Sequence, residues 1–485
     1  MTLYRCDVCN VFEYESQRGD PLTRILPGIT PENFPADWAC PVCTSDRAHL
    51  QPVESFGAPS HSDTCAVCGA PVRNTVSPVD FRVLQDYLST WERSSDALEV
   101  YMADIHAMAV TGKSIIEPMR TKKSVISWDD ILIKGAQIAT VPLNKETPVN
   151  TRTVVGPVAK QPMILEIPVF VTHMSFGALS KEVKVAIAQG TAAVQTAMGS
   201  GEGGMLPEAR RHAFRYILEY VPNRYSITEE NLKSSDAIEI KIGQSAEPGM
   251  GARLPSEKVT TEIAQIRGYP MGTDIISPAA FDDIRNREDL KEKVYWLRET
   301  SGGKPVGVKI AAGDIEADLA EILYAEPDFI TIDGRPGATG AALKFIRDST
   351  SVPTIFALYR ARKYLDRNSG RDISLIITGG LRVSSDFAKA LCLGADAIAI
   401  GTAALMACAC QQYRICNTGN CPVGVTTQKP ELRDRLKPEV SAQRLEQFLR
   451  VSTEELKDFA RLTGNNDVHA LSIRNICTTN SEISD

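Results

Sequence analysis

Four signals are missing from this chain of 485 residues. It has no stretch of about 18 apolar residues, so no membrane-spanning helix is expected. The opening MTLYRCDVC shows no signal-peptide pattern. No long basic run accompanies the net charge of −7, which argues against a nucleic-acid partner. No Gly-rich fingerprint is read as opening the helix of a dinucleotide-binding βαβ unit, so no nicotinamide site is expected. These absences predict a cytoplasmic protein with neither membrane nor nucleic acid among its partners. With 43% hydrophobic and 23% charged residues the composition is that of a globular protein. The length calls for several domains.

Cysteine, by contrast, is plentiful: there are twelve. In a reducing compartment, clustered cysteines read as metal ligands rather than disulfides. Ala407–Gln428, ACACQQYRICNTGNCPVGVTTQ, holds Cys408, Cys410, Cys416 and Cys421. Cys410-x5-Cys416-x4-Cys421-Pro422 is a cluster-ligand spacing. Soft thiolates this dense suit iron–sulfur chemistry or zinc, and a proline after the last cysteine recurs in iron–sulfur runs. Cys408 is either a bystander or a fourth thiolate. Near the N-terminus, Cys6-x2-Cys9 and Cys40-x2-Cys43 form two thiolate knuckles suited to tetrahedral iron or zinc. Tyr4, Tyr14, Phe34 and Trp38 would supply much of a core too small to stand without its metal. Cys65-x2-Cys68-Gly69 has three readings: half a zinc ribbon helped by His49 or His61, a redox dithiol, or a metal-free remnant. Cys477 has no cluster partner.

The chain divides into residues 1–55 around the first knuckles, a linker with its CxxC at 56–79, a lead-in segment at 80–165, a large domain at 166–428 and closing helices at 429–485. Asp80–Val110 has helical periodicity, with Phe81, Leu84, Tyr87, Leu88 and Trp91 on one face. Lys134–Pro148 is strand-like and turn-rich, and Glu431–Arg461 reads as a surface helix. In the large domain eight apolar runs follow one another: Pro168–His173, Gln195–Met198, Ala237–Ile242, Val306–Ile310, Phe329–Asp333, Thr354–Leu358, Ser374–Thr378 and Ala397–Ile400. Helical segments such as Lys181–Val194, Glu316–Tyr324 and Ser385–Leu393 separate most of them. The alternation predicts an α/β fold, a (β/α)8 barrel whose site lies at the C-terminal strand ends. Those ends carry HMSFGALS, GSGEGG, IKIGQ, Lys309, DGRPGATG, TGGLR and GTA. Glycine-rich backbone lets N–H groups approach a phosphate, and the loops after strands seven and eight are the usual barrel phosphate site.

The cysteine loop with its CPVGVxxQ tail, together with HMSFGALS and GEGG, resembles the glutamate synthases over Val154–Gln428. Residues 1–55 resemble rubredoxin in Tyr4, Tyr14, Gly19–Pro21, Ile25–Thr30 and PADWACPVC. Asn10 and Thr44 stand where rubredoxins usually carry glycine after each knuckle. The resemblance implies FMN in the barrel, a 3Fe–4S cluster on Cys410, Cys416 and Cys421, and iron (or zinc) on Cys6, Cys9, Cys40 and Cys43. It implies an FMN phosphate cradle of Gly379, Gly380, Gly401 and Thr402, with Gly337, Thr339 and Gly340 nearby. Ser175 and Gln244 would touch the flavin ring. Lys241 or Lys309 would place positive charge at its pyrimidine edge. Met174, Gly177, Glu202 and Lys309 would surround a 2-oxo acid. The expected reaction is reductive amination of 2-oxoglutarate, through 2-iminoglutarate, to L-glutamate. Large glutamate synthases begin with a cysteine nucleophile, whereas this chain begins Met-Thr. Ammonia and electrons are therefore expected from outside: from a separate amidotransferase chain or free ammonium, and from an electron-donating partner. After Lys309 the chain reads IAAGDIEAD, and DGRPGATGAA adds Arg335; both depart from the large synthases. Two alternatives accompany this reading: an N-methylglutamate synthase using methylamine, and an electron-transfer subunit of a larger redox complex.

Overall fold

The computed structural model describes residues 3–8, 12–20, 23, 25–41, 45–53, 81–87, 93, 95–369 and 371–484. They fall into two compact units, residues 1–92 and 93–485. Among the described residues no helix is long and apolar enough to cross a membrane.

In the first unit Leu3–Cys6 pairs antiparallel with Glu13–Glu15 on one side and Leu50–Pro52 on the other. The small core under this sheet is aromatic: Phe12, Tyr14, Phe34 and Trp38 pack together with Cys6 and Cys40. Tyr14 meets Phe34 edge-on at 4.8 Å between ring centroids, the arrangement ring quadrupoles favour. Cys6 and Cys40, one cysteine of each knuckle, are buried. Their partners Cys9 and Cys43 lie outside the described residues, as do Cys65, Cys68 and the linker at 56–79. His49 faces Asp7 at 2.9 Å. The single helical face expected over Asp80–Val110 is replaced by separate helices, Phe81–Asp86 and Met102–Thr111. Ahead of the second, the Asp96 carboxylate accepts the N–H groups of Leu98 and Glu99, a local turn that competes with helix. Lys134–Pro148 forms no strand.

The second unit is built on a closed barrel of eight parallel strands. In order they are Val169–Val171, Ala197–Gly199, Arg215–Tyr220, Ala237–Lys241, Val306–Ala311, Phe329–Asp333, Ser374–Thr378 and Ala397–Ile400. Two details differ from the sequence reading. Arg215–Tyr220 is the third strand, although its Glu219 interrupts the apolar run. Thr354–Leu358 is not a strand but the start of the helix Thr354–Asn368. There Ile355, Leu358, Ala361 and Leu365 are buried three or four residues apart, the period of a helix packing one face. DGRPGATG consequently follows the sixth strand.

Inside the barrel Phe170, Ala197, Ile217, Phe329 and Ile376 form a dry layer. Gly307 makes room for it, since a Cβ there would stand 2.1 Å from the Phe329 ring. A hairpin, Thr153–Val155 with Met163–Leu165, adds Val155, Met163 and Leu165 to the same layer and stoppers the N-terminal end. Outside, the helix Pro438–Leu462 lies on Lys181–Ala193, burying Leu445, Leu449 and Leu456. Close approach is possible because Gly190 has no side chain; a Cβ would meet Ala442 O at 2.8 Å. The chain then returns to the lead-in segment, where Ile476–Thr478 pairs with Ile131–Ile133 and leaves Cys477 exposed.

Two buried cations fasten the loops at the C-terminal end. Arg347 donates to the carbonyls of Glu117 (2.6 Å) and Met119 (3.1 Å) and to Asp348 (2.8 Å), tying the lead-in segment to the loop after strand six. Lys184 donates to three carbonyls, those of Met174 (2.9 Å), Gly199 (3.1 Å) and Ser200 (2.8 Å). All three ammonium protons are used in joining the ends of strands one and two. Replacing Lys184 by Met strands those carbonyls in a buried site, at about 1–3 kcal/mol for each group left unsatisfied. Lys184→Met should therefore lower the thermal unfolding temperature clearly, whereas Lys233→Met, on an exposed helix, should leave it unchanged.

Candidate active site

The C-terminal strand ends surround one cavity. Strand one contributes Met174 and Ser175, the turn after strand two Glu202, strand four Lys241 and Gln244, and strand five Lys309. The loop after strand six adds Gly337, Thr339 and Gly340; strands seven and eight add Gly379, Gly380, Gly401 and Thr402. Cys410, Cys416 and Cys421 line the same cavity. Of the residues expected at the barrel site, Gly177 alone is not in the wall. It sits beneath it at φ +105, where a Cβ would press on Leu254 (3.0 Å) and Arg267 (3.2 Å). Its carbonyl accepts the Gln428 side-chain amide at 3.1 Å.

The turn Gly199–Gly204 spells GxGxxG, yet it follows a barrel strand and closes onto strand one rather than opening a dinucleotide crossover. Gly201 has φ +79, and a Cβ there would stand 2.4 Å from Ser175 N. Glycine is required for that contact. The turn aims Glu202 at Lys241, 2.6 Å from Oε2 to Nζ, while the Ser277 hydroxyl donates to the other oxygen. Burial opposes the charge of Glu202, but Lys241 and Ser277 outweigh it and hold the carboxyl below its usual range. Lys241 is shifted upward: burial works against its charge, and Glu202 more than compensates. Lys309 is buried with a looser partner, Asp333 at 3.6 Å.

Deeper in the barrel stand His173, Glu219 and Glu239, the one group of three such ligand atoms within 4.8 Å of one another among the described residues. The Gly201 N–H donates to His173 Nδ1 at 3.1 Å. A neutral imidazole then carries its proton on Nε2, which faces Glu239 at 3.1 Å. Nδ1 is thus already engaged, which leaves the group one imidazole nitrogen rather than two for any ligand. Glu219 faces the charges of Lys184 and Lys241 and has no hydrogen-bond partner at either oxygen.

Four cations in the wall were not singled out from the sequence as site residues. Arg267 donates to Phe176 O at 2.7 Å and stacks over Tyr225, while its Nε is buried without a partner. Arg382 closes the TGGLR turn. Burial and the neighbouring Arg120 push its guanidinium down to about 10. Arg120 and Arg382 thus put two like charges on the cavity wall. Lys258 reaches the cysteine loop, donating to Cys416 O at 2.6 Å. TGGLR was the only hint, since it ends in arginine at a phosphate-type turn.

In the loop itself Cys410 Sγ accepts the Gln412 side-chain amide at 3.2 Å, and Cys416 Sγ lies 3.8 Å from Met119 Sδ. Burial alone would raise the Cys421 thiol. Backbone N–H groups of Thr426, Val423 and Val425 outweigh burial and hold it below its ordinary value. Cys408 is packed in the apolar core instead of the wall, and burial pushes its thiol up to about 12. The three wall sulfurs do not approach within 4.8 Å of one another as a set. A single tetrahedral zinc, with Zn–S of about 2.3 Å, would hold its sulfurs about 3.8 Å apart. The set is therefore wider than one tetrahedral zinc would hold.

Comparison with known proteins gives family matches over most of the chain. Residues 116–466 match the model of the conserved region in glutamate synthase, and residues 3–50 match rubredoxin. A glutamate synthase large subunit-like protein of Rhizobium meliloti is 36% identical, across 80% of this chain and 93% of the relative. The archaeal glutamate synthase [NADPH] of Methanocaldococcus jannaschii is 37% identical, across 76% and 78%. An archaeal-type glutamate synthase [NADPH] of Dehalococcoides mccartyi is 34% identical, across 89% and 91%. Among solved structures, a mandelate oxidase mutant with a monooxide FMN adduct covers 73% of this chain and 88% of its own, at TM-score 0.47 and 16% identity. With its barrel, its cysteine loop and these relatives, the chain belongs to the glutamate synthase family and carries a rubredoxin-like segment at its N-terminal end.

Proposed function

We propose that the chain catalyses the reductive amination of 2-oxoglutarate to L-glutamate, with FMN in the barrel cavity and a 3Fe–4S cluster on Cys410, Cys416 and Cys421. The observation that carries the reading is the convergence of the strand-end residues and the three cysteines on one cavity. When bound, FMN supplies hydride and the cluster supplies single electrons. The N-terminal metal on Cys6, Cys9, Cys40 and Cys43 is the proposed entry point for electrons. A separate amidotransferase, or free ammonium, and an electron-donating subunit complete the scheme.

The chain's own residues do the placing. Gly379, Gly380, Gly401 and Thr402 offer backbone N–H groups at the barrel's phosphate position, with the Arg120 and Arg382 charges beside them. Gly337, Thr339 and Gly340 wall the neighbouring loop, and Ser175 and Gln244 face the ring. Lys241 is engaged by Glu202 and Lys309 only loosely by Asp333, so Lys309 is the cation free to meet charge growing on the reduced ring or on the substrate. A dicarboxylate needs two cations. Arg267, with its unpartnered Nε, supplies the second, and bidentate geometry suits a carboxylate. Met174 and Glu202 bound the reacting carbon, and the buried pair Glu202–Lys241 holds fixed charge beside it.

Anaerobic, photoreduced protein mixed with 2-oxoglutarate and ammonium should reoxidise its flavin, followed near about 450 nm where flavins absorb, and form glutamate. Reoxidation by methylammonium instead, with N-methylglutamate formed, would move the assignment to the sister reaction. Silence with both, FMN and cluster being present, would leave an electron-transfer subunit. Cys416→Ser should lose cluster iron and sulfide while the N-terminal metal stays; full retention of cluster sulfide would sink the ligand assignment. Arg267→Gln should raise KM for 2-oxoglutarate about 10- to 100-fold, the range for losing one charge-assisted hydrogen bond, at unchanged FMN content.

A further inference from the structure

Lys258 is a buried cation that neither the reading of the sequence nor the proposed chemistry uses. It ends the short turn Ser256–Lys258, in the long excursion between strands four and five. Its side chain is 5% exposed. The ammonium does not hydrogen-bond to a carboxylate; it crosses to the cysteine loop and donates to the Cys416 carbonyl at 2.6 Å. The groups facing its charge are Cys416, the adjacent Glu257 and Cys421. Its stem is held as well: a Cβ on Gly419, midway between those two cysteines, would come within 3.4 Å of Lys258 Cε. Burying an ammonium against a neutral carbonyl is costly unless an anion stands behind it. The loop's own thiolates supply that anion once they carry a cluster.

We infer that Lys258 sets the reduction potential of the cluster on Cys410, Cys416 and Cys421. The inference rests on the cluster reading above. The couple is a single electron with no bond made or broken, and each electron added makes the thiolate-ligated cluster more negative. A fixed positive charge in a low-dielectric wall stabilises the reduced form more than the oxidised one, and so raises the potential. Backbone N–H groups around Cys421 act in the same sense. Lys258 is thus a positioning and tuning residue, not one that touches substrate.

The test uses the full-length protein with FMN and cluster in place, titrated anaerobically with dithionite and mediators. The cluster is followed by its EPR signal and the flavin by absorbance. Lys258→Gln keeps a donor for Cys416 O but removes the charge, Lys258→Met removes both, and Lys258→Arg keeps the charge. The expected result is a lower cluster midpoint in the Gln and Met variants, a midpoint near wild type in the Arg variant, and a much smaller change for the flavin. If the Gln and Met variants hold full cluster iron and sulfide yet titrate at the wild-type midpoint, the inference is overturned. It is overturned equally if both lose the cluster, because Lys258 would then be holding the loop rather than setting its potential. Wild-type protein without cluster iron and sulfide would instead refute the cluster reading itself, and iron and sulfide assays made before the titration separate that failure from the other two.

Discussion

The seam between strands eight and one, where Ile398 pairs with Val169 and Ile400 with Val171, is the constraint on which the cavity depends. Residues more than two hundred positions apart in the chain meet only because this seam closes the barrel. Met174 after the first barrel strand and Thr402 after the last become wall neighbours. Strand tilt and parallel register then put every strand's C-terminal end on one rim. Lys184 and Arg347 lock the loops on that rim with hydrogen bonds to backbone carbonyls, which fixes position without consuming the charged groups that face the cavity.

The charge pattern of the rim follows from what burial permits. A buried charge persists when it is paired and hydrogen-bonded. Lys241 has Glu202 and Lys309 has Asp333. Set apart from these pairs are the Arg267 Nε, the Arg120 and Arg382 charges, and Lys258 behind the cysteine loop. Three places of surplus positive charge surround the cavity, and three anions answer them in the proposed function: a substrate carboxylate, a phosphate and a thiolate-ligated cluster.

Much of this was legible in sequence where the determinant is local. Thiolate spacing is local, so Cys410, Cys416 and Cys421 could be singled out, and Cys408 separated from them only once its burial in the core was seen. Glycine turns at strand ends are local too. The barrel class was legible from alternation alone, although one strand was misplaced. Arg215–Tyr220 hides its inward Glu219 within a strand buried on both faces, while Thr354–Leu358 has a strand's composition but a helix's spacing of buried residues. Arg267, Arg120 and Lys258 were invisible for a different reason. Each reaches the cavity from an excursion or lead-in segment, and nothing in the neighbouring residues of the chain records where such a side chain ends.

The hairpin at the N-terminal end has one further consequence. Val155, Met163 and Leu165 seal the floor of the barrel together with Phe170 and Phe329, so the strand ends are reached from the rim alone. Under the proposed function, keto acid, nitrogen donor and product would share that rim, with no route through the floor. An occupant of the rim would then stand in the path of whatever comes next.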